Sequence, residues 1–288
     1  MTSTTFNPEY SGDSQGRYAS VNGLNLYYEV HGPRTDARPL ILLHGGLGMV
    51  GMFAPLLPTL AETRQIIGVE VQAHGHTADI DRPFSFEQFA DDIAALIKSL
   101  DLGTADILGY SLGGGAAQQT AIRHPEVVHK LVVVSAPAKR NGWLPESLEG
   151  MSAMTTEFAA VMVGSPPHVA YASAAPRPED WPVMVGKTGD LLRQHYDWSS
   201  DLAATRVPTL LVFGDGDAVR LDHVMEMFKL VGGRPVILSS DGTMDTPPAS
   251  RLAILPGTNH YDIISHTDLL LPIITQFLDA PTSAEDQA

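Results

Sequence analysis

The sequence predicts an α/β fold: a mostly parallel central sheet with helices on both faces and one inserted helical segment. Three observations carry this reading. A short, continuously apolar run at 39–43 and a largely apolar one at 66–71 have the character of strands buried on both sides, as in parallel sheets. Such runs alternate with segments of helical periodicity along most of the chain, which is the pattern of strands linked by crossover helices. Between about 138 and 206 that alternation breaks into Ala-, Pro-, Met- and Trp-containing stretches that read as short helices and loops.

Taken in order, Asn22-Gly23 sits between two strand-like runs, and this dipeptide tolerates the positive φ angles of a tight hairpin, so the sheet begins antiparallel. The run at 39–43 leads into His44-Gly45-Gly46-Leu47-Gly48, a strand ending in a loop. Ser85 opens a helix, with Gln88 placed as in a capping box and Phe86, Phe89, Ala90, Ile93, Leu96, Ile97 and Leu100 on one face. A strand at 106–109 feeds a sharp turn at Ser111, and a helix over 113–122 stops near His124-Pro125. Strands follow at 131–134, 210–213 and 252–255, and a last helix at 269–277. The expected organisation is a core at 17–137 and 207–280, a cap at 138–206, and loose polar ends at 1–16 and 281–288. The connection across 232–251 is longer than loops usually are.

Composition narrows the function. Hydrophobic residues make up 44% and charged residues 18%, the balance of a globular chain. No apolar run is long enough to span a bilayer. A net charge of -15 repels phosphate groups, which argues against nucleic acid or an anionic membrane as partner and for a small-molecule substrate. Self-association stays open. With no cysteine, thiolate catalysis and Cys-ligated zinc are excluded. The first residues lack a basic start and an apolar stretch, so a cytoplasmic location is expected.

Gly109-Tyr110-Ser111-Leu112-Gly113 is a G-x-S-x-G motif set between a strand and a helix. Alone, the pattern also describes a glycine-flanked serine in an ordinary turn. In this setting the turn strains the serine backbone and exposes its hydroxyl, and the following helix aims its N-terminal amides at the place where an oxyanion would form.

The chain resembles the α/β-hydrolase family. The resemblance runs from His44-Gly45-Gly46 through Ala73-His74-Gly75-His76-Thr77 and the Ser111 motif to Gly214-Asp215-Gly216-Asp217 and Pro256-Gly257-Thr258-Asn259-His260, each after an expected strand. It implies Ser111 as nucleophile, His260 as base and Asp217 as the acid that orients the base, in the family's chain order. Asp215 competes for the last role, although Asp and Gly also suit a turn. Some family members draw the acid from the loop after the preceding strand, but Ser135-Ala136-Pro137-Ala138 offers no carboxylate. The resemblance further implies oxyanion donors at the backbone amides of Gly46 and Leu112, with Leu47 a substitute for Gly46. His74 and His76 read as structural, with no metal and no cofactor expected, because no Asp, Glu or Cys accompanies them at ligand spacing.

These residues point to hydrolysis of a carboxylic ester of a small, largely apolar substrate through an acyl-enzyme. The serine disfavours haloalkane dehalogenase and epoxide hydrolase chemistry, for which the fold uses Asp at that position. Lactone, amide, peracid and carbon–carbon bond chemistry share the same triad. A receptor with vestigial hydrolysis is the alternative outside enzymes.

Overall fold

Asn22 and Gly23 both lie in the left-handed region, at φ 48° and 81°. Across this turn β1 (Gln15–Val21) and β2 (Leu24–His31) pair antiparallel, with Val21 opposite Leu24. The computed structural model describes residues 15–237, 240, 242 and 248–282. The expected loose ends at 1–14 and 283–288, and residues 238–239, 241 and 243–247 of the long connection, lie outside the described residues. Gln15 and Gly16, expected in the lead-in, belong instead to the sheet, because their backbones pair with Val30 and Glu29.

Among the described residues six further strands follow: β3 (Leu40–Leu43), β4 (Ile66–Glu70), β5 (Ala105–Tyr110), β6 (Val128–Val134), β7 (Thr209–Gly216) and β8 (Arg251–Asn259). All eight form one sheet in the order β1-β2-β4-β3-β5-β6-β7-β8. β2 is antiparallel to β1 and β4, and the other neighbours are parallel. This is the α/β-hydrolase fold.

Alternation along the strands divides the core. Ile41, Leu43, Ile107, Leu131, Val133, Leu211 and Phe213 face one side, where α2 (Phe86–Ser99), α3 (Leu112–Arg123) and α8 (Leu221–Leu230) cover them. Leu40, Leu42, Leu108, Val132, Val134 and Leu210 face the other, under α1 (Leu57–Leu60) and α9 (Thr267–Asp279). The short α1 and the amphipathic α8 have no counterpart in the sequence reading. Ser85 caps α2 by accepting from the Gln88 amide at 3.1 Å, but Gln88 Oε1 has no partner among the described residues, so the box is one-sided. Lys130 is 2% exposed and donates to the carbonyls of Phe277, Leu278 and Ala280, closing the C-terminus of α9, whose last turn has no basic residue.

Between β6 and β7 the chain forms α4 (Pro145–Ser152), α5 (Pro166–Ala174), α6 (Trp181–Arg193) and α7 (Ser199–Ala204). Among the described residues no helix is long and apolar enough to cross a membrane.

The strand order also determines where a site can form. After β3 the chain places β4 on one side and β5 on the other, so the connections leaving β3 and β5 part in opposite directions. In open α/β sheets the crevice at the carboxyl ends of such strands is the usual ligand site. Here it is bordered by His44-Gly45-Gly46 and Ser111.

Candidate active site

Ser111 joins β5 to α3 at φ 54° and ψ -118°, a conformation costly for any residue with a side chain. The turn is tight because the helix lies directly on the sheet. A Cβ on Gly109 would sit 2.1 Å from the carbonyl oxygen of Gly113, and a Cβ on Gly113 would sit 2.2 Å from that of Leu43. Both obstacles are backbone, so glycine is required at each position.

Ser111 Oγ lies 3.0 Å from His260 Nε2, and His260 Nδ1 lies 3.2 Å from Asp217 Oδ1. Residues 149 and 43 positions apart in the chain are thus brought into one line. An ionised carboxylate can only accept, so His260 carries its proton on Nδ1 and leaves Nε2 to accept from the serine hydroxyl. Burial opposes charge on Asp217. The hydrogen bond and charge of His260, with the Ser135 hydroxyl and the Gly214 amide, outweigh it and hold the carboxyl below its ordinary range. Asp215 is elsewhere: its exposed carboxylate accepts from the Gly257 amide at 2.9 Å, a turn contact.

Three residues given no role beside His260 or Asp217 in the sequence complete this line. Ser135, fully buried, donates to Asp217 Oδ2 at 2.5 Å. The Tyr110 hydroxyl donates to the His260 carbonyl. Trp143 packs edge-on to the His260 ring, with centroids 5.4 Å apart. Ser135 lies in the loop already notable for lacking a carboxylate, and that absence was the one available signal.

Ser111 and His260 open into a cavity of about 550 Å³. Gly46, Leu47 and Leu112 also line it, and Leu112 is the first residue of α3, where an amide has no intrahelical partner. Gly46 and Leu112 are neighbours, since a Cβ on Gly46 would lie 3.6 Å from Leu112 Cδ1. Met151, Met154 and Met162 line the same cavity, whereas Met184, Trp181 and Trp198 are buried elsewhere. A larger cleft of about 820 Å³, lined by Arg64, Asp106, His129 and Lys130, lies at the opposite ends of the strands and is remote from Ser111.

The histidines near the Gly45-Gly46 loop act as struts. His44 Nε2 accepts from the Val71 amide at 3.2 Å, so Nδ1 carries the proton to the Gly45 carbonyl at 2.8 Å. Burial, with the neighbouring His74, pushes the His44 pKa down to about 3. Burial likewise lowers His74 to about 4. His76 is different, because its bond to buried Glu70 raises its pKa. Glu70 also accepts from the Val50 and His76 amides, holding this loop to the end of β4.

Residues 38–167 match the family model described as alpha/beta hydrolase fold. That segment contains Ser111 but neither Asp217 nor His260. The chain is 32% identical over 120 residues to "Putative carbamate hydrolase RutD" of Caulobacter vibrioides (strain NA1000 / CB15N), a match spanning 41% of this chain and 42% of that protein. Among solved structures, the carboxylesterase CesB (YbfK) from Bacillus subtilis superposes with a TM-score of 0.70 at 21% identity, over 95% of this chain and 94% of its own. The enol-lactonase from Burkholderia xenovorans LB400 superposes with a TM-score of 0.68 at 19% identity, over 91% of this chain and all of its own. At such identities the likeness concerns the fold.

Proposed function

Given the α/β-hydrolase fold, we propose that the protein is a cofactor-free serine hydrolase that cleaves a carboxylic ester of a small, largely apolar substrate. The observation that carries the reading is the line Ser111 Oγ, His260 Nε2, His260 Nδ1, Asp217 Oδ1, opening on a cavity lined mainly by apolar residues. The segment between β6 and β7 acts as a cap: α4 with Met151, the connection after it with Met154 and Met162, and α6 with Thr188 and Leu192 line that cavity.

In this mechanism Ser111 Oγ bonds to the ester carbonyl carbon as its proton passes to His260 Nε2, and Asp217 stabilises the imidazolium. The carbonyl oxygen becomes an oxyanion and accepts from the amides of Leu112 and Gly46. Collapse breaks the ester C–O bond, and the alkoxide leaves with the proton from His260. Water then attacks the acyl carbon, giving its proton to His260. The acid departs and the proton returns to Ser111.

The test is turnover of p-nitrophenyl esters of increasing acyl length by the native protein and by Ser111→Ala, followed beyond one equivalent. Sustained hydrolysis that the substitution lowers by about 10⁴-fold or more supports the reading. Activity that survives the substitution overturns it. A preference for lactones, carbamates or vinylogous diketones would move the substrate class while keeping the triad, and single-equivalent turnover would favour the receptor.

A further inference from the structure

We infer that Glu146 gives the cavity a charge preference, so that it takes substrates whose acyl or alcohol part is neutral or cationic and disfavours those carrying a carboxylate. The inference deepens the proposed ester hydrolysis and rests on that reading of the cavity. Glu146 stands in the first turn of α4 and lines the same cavity as Ser111 and His260. Among the described residues lining it, Glu146 is the one carboxylate, and neither lysine nor arginine is present. Its carboxylate has no hydrogen-bond or ion-pair partner among the described residues. Glu146 is solvent-exposed, and among the described residues exposed carboxylates are paired in some places, as Glu226 is with Lys139, and without a partner in others, as Glu149 on the same helix is; what sets Glu146 apart is its place in the cavity wall.

The apolar part of the wall fits the same class of ligand, while Ser147, Thr188 and Tyr261 add hydroxyls that discriminate less by charge. Met151, Met154 and Phe158 line the cavity with polarisable or aromatic groups, and Trp143 supplies a further ring. Such groups accommodate an alkyl chain and interact favourably with an ammonium group, whereas they offer a carboxylate no donor. The overall charge of -15 acts in the same direction at long range, but salt screens it beyond about 10 Å, leaving the local carboxylate to discriminate at contact. A purely structural role for Glu146 is an acid at a helix N-terminus, which would affect every ligand alike.

The experiment measures binding of butyltrimethylammonium and of pentanoate to the Ser111→Ala protein by tryptophan fluorescence at low salt, alone and with Glu146→Gln or Glu146→Lys added. The expected result is tighter binding of the cation by about fivefold, most of that preference lost in Glu146→Gln and reversed in Glu146→Lys. Equal affinities, a preference for pentanoate, or a preference unaltered by both Glu146 substitutions overturns the inference. A uniform weakening of both ligands by both substitutions also overturns it, since that is the structural role. Binding is read without turnover, so a protein that shows this preference yet hydrolyses no ester would overturn the proposed function and leave the charge preference standing.

Discussion

Ser135 Oγ donates to Asp217 Oδ2 at 2.5 Å, while the other carboxylate oxygen, Oδ1, faces His260 Nδ1 at 3.2 Å. The hydroxyl thereby anchors the oxygen that His260 does not use and fixes the rotation of the carboxylate. Ser135 holds this position at φ 53°, so its backbone is strained as well. Ser135→Ala should lower kcat about tenfold, the scale of one hydrogen bond to a charged group, with little change in KM. Ser135→Gly relieves the backbone and also lacks the hydroxyl, so it should be as slow as the alanine variant but no less stable. Normal kcat in both would remove Ser135 from the positioning role.

Asp217 and Asp215 are separated by one residue and should behave differently. Asp217→Asn is expected to lower kcat by roughly 10³- to 10⁴-fold, because an amide no longer selects the histidine tautomer or stabilises its cation. Asp215→Asn changes a turn contact to Gly257 and should leave kcat within a few-fold. Steady-state kinetics on the two variants check this, and the reverse order would reassign the acid.

Acid should destabilise the protein from neutral pH downward. Burial lowers His44 to about 3 and His74 to about 4, whereas both titrate near 6.5 once unfolded. Between these limits the unfolded chain binds more protons than the folded one, so each histidine removes about 1.4 kcal/mol of stability per pH unit as pH falls from about 6.5. Asp217, held below its ordinary range, adds a further loss only at lower pH, as pH falls past the unfolded carboxylate value toward its folded one. Denaturant titrations at pH 7, 6 and 5 should show the decline, and His74→Asn should reduce its slope. A flat profile would mean that water reaches these rings.

Two glycines in helices should respond oppositely to alanine. At Gly113 a Cβ would lie 2.2 Å from the Leu43 carbonyl oxygen and 2.5 Å from that of His44, so Gly113→Ala must push α3 off the sheet. A loss of about 3 kcal/mol is expected. At Gly150, within α4, a Cβ meets nothing within 4 Å, and Gly150→Ala should stabilise by about 0.5 kcal/mol. Melting temperatures of both variants give the comparison.

Much of the scaffold was legible because its signals are local. The apolar runs at 39–43 and 66–71 became β3 and β4, Asn22-Gly23 made the hairpin, and Ser85 capped α2. The short α1 was not legible, because Leu57–Leu60 is a single turn, preceded by Pro55 and holding Pro58, too short for periodicity. Leu221–Leu230 does carry a helical apolar spacing in Val224, Met227 and Phe228, although it has no Ser, Thr, Asp or Asn cap to mark its start.

By itself the sequence determined most of the strands, the helix opened by Ser85 and the glycine-flanked Ser111 turn, which depend on backbone preference and side-chain periodicity acting over a few residues. Asp217 and His260 came from the resemblance to the α/β-hydrolase family, not from local signals. Tertiary structure brought Asp217, the acid that the resemblance implied, to His260 and left Asp215 in a turn, and it alone decided that Ser135 holds Asp217, that Lys130 caps a helix 147 positions away, and that Glu146 lines the cavity into which Ser111 opens. Each of those depends on which surfaces the crossover connections bring together. Hydrogen bonds between distant residues form only after the hydrophobic faces have packed, so no spacing along the chain encodes them directly.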